Sequence, residues 1–175
     1  MTVITSYPGV YLSESSSTTF SVTSSPTAVP LFAFKFNTDD GLPIGDDIQA
    51  FNNWKEFSDF HVGNHTGHNY HICLRLWFSS GGGHCYMVNL DNITEAVGKF
   101  DDITLIVASG VDIFEQFTAL VNSGCNVFGL FDGPKSEISA DDTDKVMNDY
   151  PAIPFAAAYY PWVNVEWTKA DVPPS

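Results

Sequence analysis

Between residues 101 and 132 the hydrophobic pattern changes period twice. Residues 103–108 form a nearly unbroken apolar run, as expected of a short strand shielded by helices on both faces. Ile113, Phe117, Leu120 and Val121 then recur at helical spacing, and Asn122-Ser123-Gly124 supplies a stop. Residues 127–131 return to a short apolar strand. A strand, a helix and a second strand joined by short turns predict a parallel pair with a right-handed crossover.

The remaining chain extends that sheet. Residues 28–36 read as a strand, with Pro30, which cannot donate to a ladder, marking a strand start, an edge or a bulge. A polar loop follows, and Asp46 or Asp47 is placed to cap a helix with Ile48, Phe51, Trp54 and Phe57 on its inner side. Tyr70, Cys73, Leu74, Trp77 and Phe78 form one buried helical stripe, which Ser79-Ser80-Gly81-Gly82-Gly83 ends. Residues 85–90 are the next strand, 91–100 a short, poorly patterned helix or turn. After the turn at Asp132-Gly133-Pro134, Ser139 or Asp141 starts an acidic helix to about Asn148, and residues 155–160 read as a last strand. The expected fold is α/β: three layers, a mainly parallel sheet with flanking helices, and an extended N-terminal arm. Residues 1–27 are the arm, β-prone at Val3-Ile4 and Val10-Tyr11-Leu12 but too polar for a core of their own. Residues 28–165 are the domain and 166–175 a tail.

Composition narrows the function. A formal charge of −14 with only 7 Lys and Arg argues against a nucleic-acid partner, because binding a polyanion requires basic side chains to displace counterions. Cys73, Cys85 and Cys125 are an odd set without framework spacing, which favours small buried thiols over a disulfide scaffold. No stretch has the length and apolarity of a membrane span, and residues 1–10 lack a secretion pattern.

Three constellations offer chemistry. His61, His65, His68, His71 and His84, with Cys73 and Cys85, fall in one window and include the preferred ligand types for zinc, although the spacing matches no established zinc pattern and Cys73 sits on the core stripe. In an open parallel sheet, ligands bind beyond the carboxyl ends of strands, here Asp91, Ser109, Asp112, Asp132 and Tyr160. Asp91, Asp112 and Asp132 could hold a divalent cation for a hydrolase; their ordinary roles are a helix cap at Asp112 and a turn with Gly133 at Asp132. No histidine lies on this seam, and Ser109 is not in a nucleophile elbow. Gly81-Gly82-Gly83 follows a helix instead of preceding one, so it suits a C-terminal cap and not a phosphate cradle, and Pro134 removes a donor from the loop at residues 129–136.

Six phrases taken in order resemble the sheath proteins of contractile injection machines. They are Tyr7-Pro8-Gly9-Val10-Tyr11-Leu12-Ser13-Glu14, Ala28-Val29-Pro30-Leu31-Phe32, Gly81-Gly82-Gly83-His84-Cys85-Tyr86, Asp101-Asp102-Ile103-Thr104-Leu105-Ile106-Val107-Ala108, Leu130-Phe131-Asp132-Gly133-Pro134-Lys135 and Ala156-Ala157-Ala158-Tyr159-Tyr160-Pro161-Trp162. The likeness is to the extracellular, antifeeding-prophage-like kind, with contractile phage tails and pyocins as relatives, and it covers the N-terminal half of such subunits. It implies a non-enzymatic structural protein with no cofactor, no nucleic acid and no membrane contact. Its partners would be other sheath subunits and, through the full-length sheath, an inner tube protein. Assembly would take place in the bacterial cytoplasm before release as a phage-tail-like particle. It also implies an assembly arm, Tyr7, Pro8, Gly9, Val10, Tyr11 and Leu12, that adds a strand to a neighbour's sheet. Family members continue past Val172-Pro173-Pro174-Ser175 into a C-terminal region with a second arm, so the chain reads as truncated relative to the family.

Overall fold

The computed structural model describes residues 28–35, 48–60, 69–139, 150 and 152–164. Strands β1 (Pro30–Phe34), β2 (Gln49–Phe51), β3 (Cys85–Asn89), β4 (Leu105–Ala108), β5 (Phe128–Asp132) and β6 (Ala156–Tyr159) form one sheet in the order β2-β3-β1-β4-β5-β6. All neighbouring strands are parallel except β2, which pairs antiparallel with β3 at one edge. Helices α1 (Trp54–Phe60) and α2 (Asn69–Ser79) follow β2, α3 (Ile93–Lys99) follows β3 through a 3-10 turn at Leu90–Asn92, and α4 (Phe114–Asn122) joins β4 to β5.

The strand alternation sorts two cores onto opposite faces. Leu31, Tyr86 and Ile106 lie in register and pack with Ile93 and Ala96 of α3 and Phe117 and Leu120 of α4. One residue along, Phe32, Met87 and Val107 point the other way, with Phe32 and Met87 packing beside Phe57 of α1 and Tyr70 and Leu74 of α2. These are the three layers that the sequence predicts. The β4-α4-β5 unit is the expected parallel pair, tied at its base where Phe128 N–H donates to the Thr104 carbonyl at 2.9 Å. Pro30 opens β1, which lies in the interior of the sheet, so of its three readings the strand start is the one observed.

Two expectations change. The residues taken as the first turn of a helix from Ile48 are instead the strand β2, and helix begins only at Trp54. Ile48, Phe51, Trp54 and Phe57 fit a helical stripe by spacing, but Phe51 is drawn into the ladder opposite Cys85. The apolar run at 103–108 is not shielded equally on both sides: Ile106 and Ala108 are buried, whereas Leu105 and Val107 are half-buried. The arm at residues 1–27, the caps at Asp46 and Asp47, the acidic helix at 141–148 and the tail at 166–175 lie outside the described residues. Among the described residues, no helix is long and apolar enough to cross a membrane.

The glycine run ends α2 as expected. Gly81 adopts a φ of +85°, and Gly81 and Gly82 N–H donate to the carbonyls of Phe78 and Trp77 at 3.2 and 2.9 Å. The Trp77 indole packs where a Gly82 Cβ would stand and donates through Nε1 to the Gly83 carbonyl at 2.9 Å.

Candidate assembly surface

The carboxyl ends of the strands gather some of the expected residues and separate others. Asp112 and Asp132 line a cleft of about 680 Å³ with Lys135, Tyr150 and Trp162. Asp91 is not in it. Asp91 lies in the turn after β3, which stands three strands from β5 in the sheet, on the order of 14 Å away at the usual strand spacing. A three-carboxylate cation site therefore does not form. Asp112 is not the N-cap of α4, which is Ile113; it sits one residue ahead, and its Oδ1 accepts from Phe114 N–H at 2.9 Å in a local turn that leads into the helix.

Asp132 does not make the expected turn with Gly133. Its Oδ2 accepts from Gly110 N–H at 2.6 Å, while Gly133 N–H donates to the Tyr159 carbonyl at 2.8 Å and prolongs the β5–β6 ladder. Burial raises the Asp132 carboxyl above its ordinary value, against the opposing pull of the Gly110 N–H and the Lys135 charge. Ser109 is buried at the end of β4, and Tyr160 is bound at its hydroxyl by Ile138 N–H at 3.2 Å.

The histidine window is scattered. His61, His65 and His68 lie outside the described residues. His71 is buried on α2 with its ring 5.3 Å from that of Trp54 and 5.8 Å from that of Phe57. His84, at the foot of β3, has Nδ1 2.7 Å from Asn52 Oδ1 and Nε2 3.7 Å from Asp102. Burial pushes the Cys73 thiol up to about 11 and the Cys85 thiol up to about 12, so both are held as neutral thiols. Among the described residues no group of three or more His, Cys, Asp or Glu is placed to hold a metal ion.

The distinctive surface is at β6, the edge strand opposite β2. Gly129 N–H donates to the Phe155 carbonyl at 2.8 Å, so the alternation of a parallel ladder turns the main-chain groups of Ala156 and Ala158 outward. Among the described residues no strand pairs with that side. Large apolar side chains in and next to β6 are exposed: Phe155, Tyr159 and Val163 are 61%, 66% and 76% exposed. The segment beyond β6 is pinned, because Trp162 Nε1 donates to the Gly133 carbonyl at 2.7 Å and Lys135 Nζ stands 4.7 Å from the Trp162 ring centre. The pattern at 155–160 predicts a strand but not the exposure of its aromatic residues. The density of aromatics in so short a stretch beside an exit segment was the available signal.

No family model and no curated protein sequence matches the chain. Solved structures do. One match is a chain in the cryo-EM structure of the anti-feeding prophage (AFP) baseplate in the contracted state, at 49% identity and a TM-score of 0.72 over 89% of this chain. Another is a chain in the cryo-EM structure of an extracellular contractile injection system, the PVC sheath complex in the contracted state, at 36% identity and a TM-score of 0.75 over 95%. This chain spans 45% and 47% of their respective lengths. Identity at that level, carried through a shared fold over nearly the whole described domain, makes this chain a contractile injection system protein.

Proposed function

We propose that the protein is a structural subunit, or part of one, of the contractile sheath of a phage-tail-like injection machine. It would assemble around an inner tube by exchanging strands between subunits. The observation that carries this is the likeness over 95% of the chain to a chain of the PVC sheath complex. The outward main-chain groups of β6 supply the chemistry, since an extended segment from a neighbour could satisfy them and gain adhesion without a reactive centre. Residues 7–12 are the donor arm in this reading and residues 28–165 the domain that receives it. The particle would be assembled in the cytoplasm and released. The match to a chain in the AFP baseplate structure favours a second reading, a baseplate subunit with the same domain.

Deleting residues 1–16 tests the arm. The thermal midpoint and circular dichroism should stay as they are, while co-assembly with a full-length sheath subunit should be lost. Normal co-assembly of the trimmed chain would end the arm reading. Gold-labelled native particles carrying label only at the baseplate would replace the sheath reading with the second one.

A further inference from the structure

We infer that β1 is the strand through which the domain bears tension: a pull on the chain at Ala28 meets β1 gripped lengthwise from both sides, with Thr104 locking the point where the load enters. The source of the pull rests on the sheath reading, in which residues 1–27 reach a neighbouring subunit. The grip is a property of the domain itself and is measured on the chain alone.

Topology builds the grip. Residues 1–27 join the domain at Ala28, just ahead of β1, and β1 is an interior strand with a parallel neighbour on each side: β3 along Leu31–Phe34 and β4 along Pro30–Ala33. A load that enters at the amino end of β1 and leaves beyond the carboxyl end of β4 therefore runs along the strands. In that direction the bonds of both ladders are strained together, whereas a load across the strands opens them one after another from the near end. Packing adds to the ladders. Every residue of β1 is buried, and its side chains alternate between the two cores, Leu31 and Ala33 in one, Phe32 and Phe34 in the other. The Phe32 ring lies 6.2 Å from Trp77 and the Phe34 ring 5.5 Å from Tyr70, both edge to face. A lengthwise slip of one residue would swap the two sets of side chains between faces, and a close-packed interior has no room for rings where Leu31 and Ala33 now sit.

The entry point is reinforced on one side. Pro30 has no N–H, and strand alternation aims that missing donor at β3, so the hold at the start of β1 falls to β4. There Val29, fully buried, is tied through both of its main-chain groups. Its N–H donates to Thr104 Oγ1 at 2.9 Å, and its carbonyl accepts from Thr104 N–H at 3.0 Å and from Leu105 N–H at 3.2 Å. The Thr104 carbonyl accepts in turn from Phe128 N–H at 2.9 Å, which carries the lock on to β5. A buried N–H needs a partner, and the Thr104 hydroxyl supplies one for Val29 where the ladder begins.

The test is single-molecule force spectroscopy on the full chain, with one handle at Ala28→Cys. For lengthwise loading the second handle is Asp112→Cys, beyond the carboxyl end of β4, in a Cys125→Ser background. For crosswise loading it is the native Cys125, ahead of β5 at the amino end of the sheet. Cys73 and Cys85, held as neutral thiols, take no handle in the native protein. Forced unfolding reads the barrier to opening and not overall stability, so the rupture force should be at least about twofold higher lengthwise than crosswise. Thr104→Val should lower the lengthwise force and Thr104→Ser, which keeps the acceptor, should restore it. Gly129→Ala, strained at β5, should lower the thermal midpoint and leave the lengthwise force as it is. Equal forces in the two directions, or a higher crosswise force, would overturn the inference, and that comparison stands even where Thr104→Val does not fold. A lengthwise force untouched by Thr104→Val would overturn the lock, and one that falls as far with Gly129→Ala would mean that overall stability and not the grip sets it. Normal co-assembly after deletion of residues 1–16 would end the arm as the source of the pull and leave these forces unchanged.

Discussion

The Asp132 carboxylate at the end of β5 holds the Gly110 N–H of the turn after β4 at 2.6 Å, so a side chain from one strand fixes the exit of its neighbour. Burial raises the carboxyl from 3.8 while the Gly110 N–H and Lys135 pull it down. With the folded value above the unfolded one, folding binds the proton more tightly. The contribution is fully present below the unfolded value and fades as pH rises through the folded one.

Asp132→Asn keeps an acceptor for Gly110 and removes the charge. Its thermal midpoint relative to the parent should therefore climb between about pH 3.5 and pH 7. A difference that stays flat or falls over that range would show that ionised Asp132 is not penalised by burial. Asp132→Ala, which leaves Gly110 N–H without this partner, should cost about 1–2 kcal/mol in urea unfolding.

Gly110 has a φ of +85°, and the Asn69 amide occupies the place its Cβ would take. Gly110→Ala should destabilise the domain by more than about 1 kcal/mol through backbone strain and displacement of Asn69. Gly129 is confined differently, with Phe117 and Phe131 ring atoms 2.8 and 2.9 Å from a Cβ built there. Gly129→Ala should cost about 1–3 kcal/mol by overpacking, measured by denaturant titration, and a neutral result would mean that those rings can move aside.

Thiol chemistry gives an independent check on burial. With Cys73 near 11 and Cys85 near 12, roughly one part in a thousand or less of either is thiolate at pH 8. A disulfide reagent should modify Cys125 first in the native protein and all three cysteines after denaturation. Fast native reaction at Cys85, on a strand buried on both faces, would contradict the fold.

Ala158 tests the open edge. Its N–H faces away from β5, so Ala158→Pro removes an outward donor and spares the β5–β6 ladder. The thermal midpoint should move by less than about 4 °C, the equivalent of 1 kcal/mol in a domain of this size. Co-assembly with full-length sheath should fail, and assembly at the parental level would mean that β6 does not accept a strand.

The sequence by itself determined the elements whose side chains decide their own burial. The apolar runs of β1, β3 and β4, the stripe of α2 and the glycine stop at Gly81 are legible because period and turn chemistry are local properties. The six phrases also carried the likeness to injection-machine proteins that the solved structures bear out. Only tertiary structure decided the rest. Phe51 could serve a helix or a strand until β3 offered it a ladder. Asp91 and Asp132 look equivalent along the chain, yet the crossing of β1 between β3 and β4 parts them. The uneven cover of the sheet among the described residues was invisible for the same reason. Whether Leu130 or Tyr159 is covered depends on which helix lies over its strand, and helices α1 and α2 spend their apolar faces on the other half.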